Sequence, residues 1–148
     1  MRIILALVLS VLVNVSFASV SKSQAIGIYN RILKANNIWT CPKLTFSKSN
    51  QINAQVAGYV MTINQGMLDA TNIDELALVI GHELGHFKLW HVTSKPGNEY
   101  AADARGWVYA HTAGYNMCKA KELFKKFPQE YSKTHPHPKD RYNRLPRC

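Results

Sequence analysis

Leu76, Ile80, Leu84 and Phe87 recur at i, i+4, i+8 and i+11, a spacing that gathers all four on one face of an α-helix and that no strand satisfies. Asn72 with Glu75 three residues on forms a capping pair, and Asp74 adds negative charge to the same first turn. A helix is therefore predicted to begin there. Its neighbouring face carries His82, Glu83 and His86 in the string H-E-L-G-H. Two residues four apart are separated by about 40° around a helix axis, so both imidazoles can reach one tetrahedral cation with Glu83 beside the water on it. One face is committed to a core, and the next to metal chemistry.

The rest of the chain has room for one domain. Its 148 residues, 47% hydrophobic and 10% aromatic, have the composition of a globular protein with a real core. Ser21 or Ser23 can cap a helix whose apolar positions Ile28, Ile32 and Leu33 share a face, ending near Asn36-Asn37. Leu44 and Phe46 alternate with polar neighbours, Ile52 to Ala57 is extended, and after Gly58 the stretch Tyr59 to Asn64 is rich in β-formers, with Gly66 marking its end. Beyond Pro96-Gly97 a helical stretch runs from Glu99 to His111, with Gly114 as its stop, and another from Lys119 to Phe127. From Ser132 the chain is proline-rich and reads as an ordered loop folding back over the domain. The expected fold is α+β: a small three-stranded sheet, an active-site helix carrying the HExxH string, and a following helix carrying a glutamate.

The first eighteen residues read differently. Arg2 precedes the nearly uninterrupted apolar run Ile3 to Val15, and Ser16-Phe17-Ala18 supplies small residues at a cleavage position. That run falls short of the roughly 20 residues a spanning helix needs. A signal peptide over residues 1–18, cut after Ala18, leaves residues 19–148 as an exported domain, periplasmic or secreted. Export favours disulfides. Cys41 and Cys118 fall in structured parts while Cys148 is the last residue, so one bridge between Cys41 and Cys118 and a terminal thiol are expected. Without Arg2, 17 basic residues face 9 acidic ones, and nine of the 17 lie from Lys119 onward. Such a region is either a solvated face or attracted to an anionic surface such as membrane or cell-wall polymer. Nucleic acid is the weakest partner, because no nucleic-acid-binding fold signature is present.

A hydrolytic zinc site needs three protein ligands and an open position, so two histidines are not sufficient. His91 lies about 140° from His86 on a continuous helix and would point away. The metzincin pattern would place a Gly three and a His six residues after the second His, where this chain has Leu89 and Val92. Glu99 is the better third ligand, since a turn at Pro96-Gly97 lets the next helix run back beside the first. Asp103, one turn on, can accept the other ring N–H of a zinc histidine.

These segments resemble the gluzincin metallopeptidases, in particular the group that includes the HtpX heat-shock protease, the CAAX prenyl protease and their small soluble relatives. The resemblance runs through Asn53-Ala54, Gly66-Met67-Leu68, Asp74-Glu75-Leu76, His82-Glu83-Leu84-Gly85-His86 and Glu99-Tyr100-Ala101-Ala102-Asp103. It ends in Ala113-Gly114-Tyr115, Thr134-His135-Pro136 and Arg141. It implies a minimal gluzincin-like domain holding one Zn²⁺ per chain on His82, His86 and Glu99, with Glu83 as general base and Asp103 behind the ligands. The implied activity is endopeptidase cleavage of extended polypeptides by a metal-activated water. His135 or Arg141 would face the developing oxyanion, and Asn53 and Ala54 would bind substrate by strand addition. The best-known relatives are membrane proteases, so an exported catalytic domain without a span is the consistent form. Two other readings stand beside it: a zinc hydrolase acting on cell-wall peptide, and a non-catalytic basic binding protein that keeps a structural metal.

Overall fold

Helix α3, Ile73–Lys88, is the element against which the others pack. It starts where the sequence predicts. The Asn72 side chain accepts from the Glu75 N–H at 3.0 Å and the Glu75 carboxylate accepts from the Asn72 N–H at 2.9 Å, satisfying two donors that a helix start otherwise leaves orphaned. Leu76, Ile80 and Leu84 are fully buried and Phe87 nearly so. The structure is a computed structural model and describes residues 19–91, 95–128, 130 and 135–148. The candidate leader at 1–18, Val92, Ser132 and Thr134 lie outside the described residues.

Helix α1, Lys22–Ala35, is capped by Ser21 and lays Ile28 and Ile32 into the same core. Strands β1 (Lys43–Ser47), β2 (Ala54–Ala57) and β3 (Val60–Asn64) form one sheet in the order β1-β3-β2. β1 runs parallel to β3 and β2 antiparallel to it. Met61 and Ile63 are fully buried, the two-residue alternation expected of a sheet with one covered face. β2 is an edge strand, and it lies against α3. Asn64 N–H donates to the Asn53 carbonyl at 3.0 Å. Because bonded pairs alternate along an antiparallel ladder, Gln55 and Ala57 turn their main-chain groups to β3, while Ala54 and Val56 turn theirs to the open edge.

Four helical segments differ from expectation. Helix α2, Gln65–Ala70, follows β3 directly; six residues are too few for a periodic signal. Helix α4, Pro96–Thr112, takes Pro96 at its first position, where a missing N–H costs nothing. The expected helix from Lys119 to Phe127 is instead α5 (Met117–Ala120) followed by a 3₁₀ turn (Lys121–Lys125). Where a proline-rich loop was expected, Pro138 opens helix α6, Pro138–Arg144, and the His137 ring accepts from the Lys139 N–H at 3.1 Å. Proline reads as a loop signal, but at a helix start it favours the helix.

The cysteine pairing also differs. Cys118 bonds Cys148, and Cys41 is a free thiol. The chain end is not a loose tail: Leu145 is buried, and Lys121 Nζ donates to the Leu145 and Pro146 carbonyls at 3.4 and 2.9 Å while lying 4.3 Å from the Tyr142 ring centre. That anchoring delivers Cys148 to Cys118. Among the described residues, no helix is long and apolar enough to cross a membrane.

The packing of α4 on α3 is unusually close. A Cβ at Gly81 would lie 2.6 Å from the Gly106 carbonyl oxygen, one at Gly106 would lie 2.4 Å from the His82 nitrogen, and one at Gly85 would lie 2.9 Å from the Ala102 carbonyl oxygen. Backbone cannot yield as a side chain can, so only glycine lets the two axes approach this far. Gly106→Ala is expected to lower stability by about 1–3 kcal/mol through overpacking, outweighing the gain of about 1 kcal/mol in helix propensity. Denaturant unfolding checks this; a raised midpoint would show that the contact is looser than described.

Candidate metal centre

His82 and His86 stand one turn apart on α3, and their Nε2 atoms face each other at 3.0 Å. Glu99, in the first turn of α4, comes down between them. Its Oε1 is 3.2 Å from His86 Nε2 and its Oε2 is 3.5 Å from His82 Nε2. Glu99 is only 1% exposed, and its Oε2 has no hydrogen-bond partner among the described residues. The glycine contact makes this reach possible, since a wider spacing of α3 and α4 would withdraw the carboxylate.

Behind His82 the groups are paired. His82 Nδ1 lies 2.9 Å from Asp103 Oδ1. Arg141 grips the same carboxylate in a fork, Nε to Oδ2 at 2.8 Å and Nη2 to Oδ1 at 2.6 Å. Burial alone would raise the Asp103 pKa, but the hydrogen bonds from Arg141 and His82 outweigh it and hold the carboxyl at about 2. An ionised Asp103 can only accept, so His82 carries a proton on Nδ1, which in the neutral ring leaves the lone pair of Nε2 facing Glu99. Arg141 Nη2 also lies 3.3 Å from His82 Nδ1, and since both are then donors they share Asp103 Oδ1 and do not bond each other.

The donor set fits a metal. Two imidazole nitrogens and a carboxylate oxygen, all within 4.8 Å of one another, converge from three positions. Ligands about 2.0–2.1 Å from a tetrahedral zinc stand roughly 3.4 Å apart, and the separations here run from 3.0 to 3.5 Å. The unpartnered oxygen of Glu99 is the kind of atom a cation satisfies.

Glu83 borders a cleft of about 290 Å³ that Asn53, Ala54, Phe124 and His135 also line. It is buried, and burial raises its carboxyl above the usual range despite the lowering by His82, His86 and the N–H of Val56. The Val56 bond ties Glu83 to the open edge of β2. Of the two candidate oxyanion donors, Arg141 is engaged with Asp103, with its Nη1 3.6 Å from Glu99 Oε2. His135 is half-exposed at the cleft, with Nε2 3.7 Å from Glu99 Oε2.

His91 departs from the sequence reading. The helix is not continuous to that point: it ends at Lys88, Trp90 adopts φ 52°, and the chain folds back so that His91 Nδ1 lies 2.9 Å from His86 Nδ1. It contacts the far side of His86, not the converging nitrogens.

Residues 26–96 match the model of peptidase family M48. That stretch takes in most of α1, the whole sheet, and α3 with His82, Glu83 and His86, and it stops three residues before Glu99. The match supports the M48 metallopeptidases, which are metal-dependent hydrolases of peptides, and the His82, His86 and Glu99 cluster is compatible with that family. No curated protein matches the chain.

Arg141 is largely buried against a buried carboxylate. Removing one partner of such a pair leaves an uncompensated charge, so Arg141→Met is expected to destabilise the metal-free protein by about 3–5 kcal/mol. Chemical denaturation measures it, and a change within about 0.5 kcal/mol, the range of ordinary surface substitutions, would contradict the clamp.

Proposed function

We propose that this chain is a zinc-dependent endopeptidase of the M48 group that cuts extended polypeptides. The observation that carries the reading is the convergence of His82 Nε2, His86 Nε2 and a buried Glu99 carboxylate beside a cleft bordered by Glu83 and an edge strand. Zinc held by these three residues would supply Lewis acidity, polarising a peptide carbonyl and making water more acidic. Glu83 takes the proton of the attacking water and returns it to the leaving amine. Ala54, whose main-chain groups face the open edge, pairs with the substrate backbone as an added strand, and Asn53, whose carbonyl is held by the Asn64 N–H, lines the cleft beside it. Asp103 fixes the tautomer of His82, and Arg141 fixes Asp103. His135, at the cleft, donates to the oxygen on which charge develops.

Export belongs to the same proposal. It is supported by the leader-like sequence before Ser19 and by the Cys118–Cys148 bond, a cross-link suited to an oxidising compartment. Cell-wall peptide is a second substrate class, favoured by the basic residues from Lys119 onward.

Zinc content and casein cleavage measured together test the assignments. Glu83→Gln is expected to keep its zinc and lose activity by about 10²–10⁴-fold, the scale of a lost general base. Glu99→Ala is expected to lose the metal. Full activity in Glu83→Gln would contradict the mechanism, and undiminished zinc in Glu99→Ala would contradict the ligand set.

A further inference from the structure

We propose that His91 is the positioning residue for His86, accepting the proton-bearing Nδ1 of that ring and so directing its Nε2 toward His82 and Glu99. The inference rests on reading the cluster as a metal centre. His86 Nε2 lies 3.0 Å from His82 Nε2 and 3.2 Å from Glu99 Oε1, so it is the atom that would bind metal. A neutral imidazole with a lone pair on Nε2 carries its proton on Nδ1. That proton has an acceptor 2.9 Å away, His91 Nδ1. With the roles reversed, His91 donating to His86 Nδ1, the proton of a neutral His86 would sit on Nε2 and block the ligand position. Asp103 performs the matching task for His82, so each metal-facing imidazole has its own partner behind it, as ligating histidines generally do.

The helix end is built for this contact. The Trp90 N–H donates to the Phe87 carbonyl at 3.3 Å and the His91 N–H to the His86 carbonyl at 3.1 Å, the 5→2 and 6→1 bonds of a Schellman turn with Trp90 in its left-handed position. Such a turn brings together the side chains of the residues joined by the 6→1 bond, here His86 and His91, whose ring centres are 5.1 Å apart. A tryptophan is a costly occupant of that conformation. It is braced by aromatic neighbours, Phe87 at 6.1 Å and Tyr59 at 6.5 Å between ring centres. The exposed aromatic group at the end of α3 therefore holds the turn that presents His91.

The test is zinc affinity, read by competition with a chromogenic chelator on the full chain, for wild type, His91→Phe, His91→Asn and Glu99→Ala. Phenylalanine keeps the ring and cannot accept; asparagine can place an oxygen near the position of Nδ1. His91→Phe is expected to bind zinc about 10–100-fold more weakly, the usual effect of losing such a partner, and His91→Asn to recover most of the affinity. The unfolding midpoint of the metal-free protein, which reads packing alone, is expected to be the same in wild type and both His91 variants. Unchanged affinity in His91→Phe, or equal weakening in His91→Asn, overturns the assignment, as does a fall in midpoint that tracks the affinity in both variants. Wild type that fails to bind zinc overturns the metal reading itself, and Glu99→Ala that binds like wild type overturns its third ligand, so those failures are distinguishable from failure of the His91 role.

Discussion

A carboxylate taken almost wholly out of water has to be neutralised, and Glu99 sets that demand for the whole site. Burial works against its ionised form, yet His86 first, then His82, Arg141 and His135, hold its pKa below the usual range. Its Oε2 still has no hydrogen-bond partner among the described residues. An arrangement of this kind is stable when a cation completes it. The position of Glu99 in the first turn of α4 adds the favourable end of the helix dipole.

The other features around the site serve to bring Glu99 there and to keep its neighbours oriented. Gly81, Gly85 and Gly106 let the two helix backbones approach until the first turn of α4 reaches the histidine face of α3. The Asp103–Arg141 pair then fixes His82, and Arg141 is itself carried by α6, which packs on the 3₁₀ turn and on α4. The chain end is tied by Lys121, by the burial of Leu145 and by the Cys118–Cys148 bond. These anchors thus fix a guanidinium that grips Asp103 behind His82 and lies 3.6 Å from Glu99 Oε2.

The parts legible in the sequence are those governed by periodicity and local capping. The apolar stripe and the Asn72–Glu75 pair place the start of α3 within a residue, and helical spacing alone puts His82 and His86 side by side. Glu99 and Asp103 follow from the turn at Pro96 and from one helical repeat. The parts not legible depend on geometry that residue types conceal. Left-handed helix ends favour glycine or asparagine, and a tryptophan in that role gave no sign that His91 would swing back to His86. Pro138 suggested a loop and opens a helix. Disulfide partners depend on where the chain end is anchored, and the buried Lys121 that anchors it looks in the sequence like one more basic surface residue.

The central claim is that His82, His86 and Glu99 together hold one zinc ion. X-ray absorption at the zinc edge of the loaded protein reads that shell directly. One zinc per chain is expected, with two imidazole nitrogens and a carboxylate oxygen at about 2.0–2.2 Å and no sulfur. A sulfur neighbour at about 2.3 Å, pointing to Cys41, or a shell with a single imidazole, would contradict it.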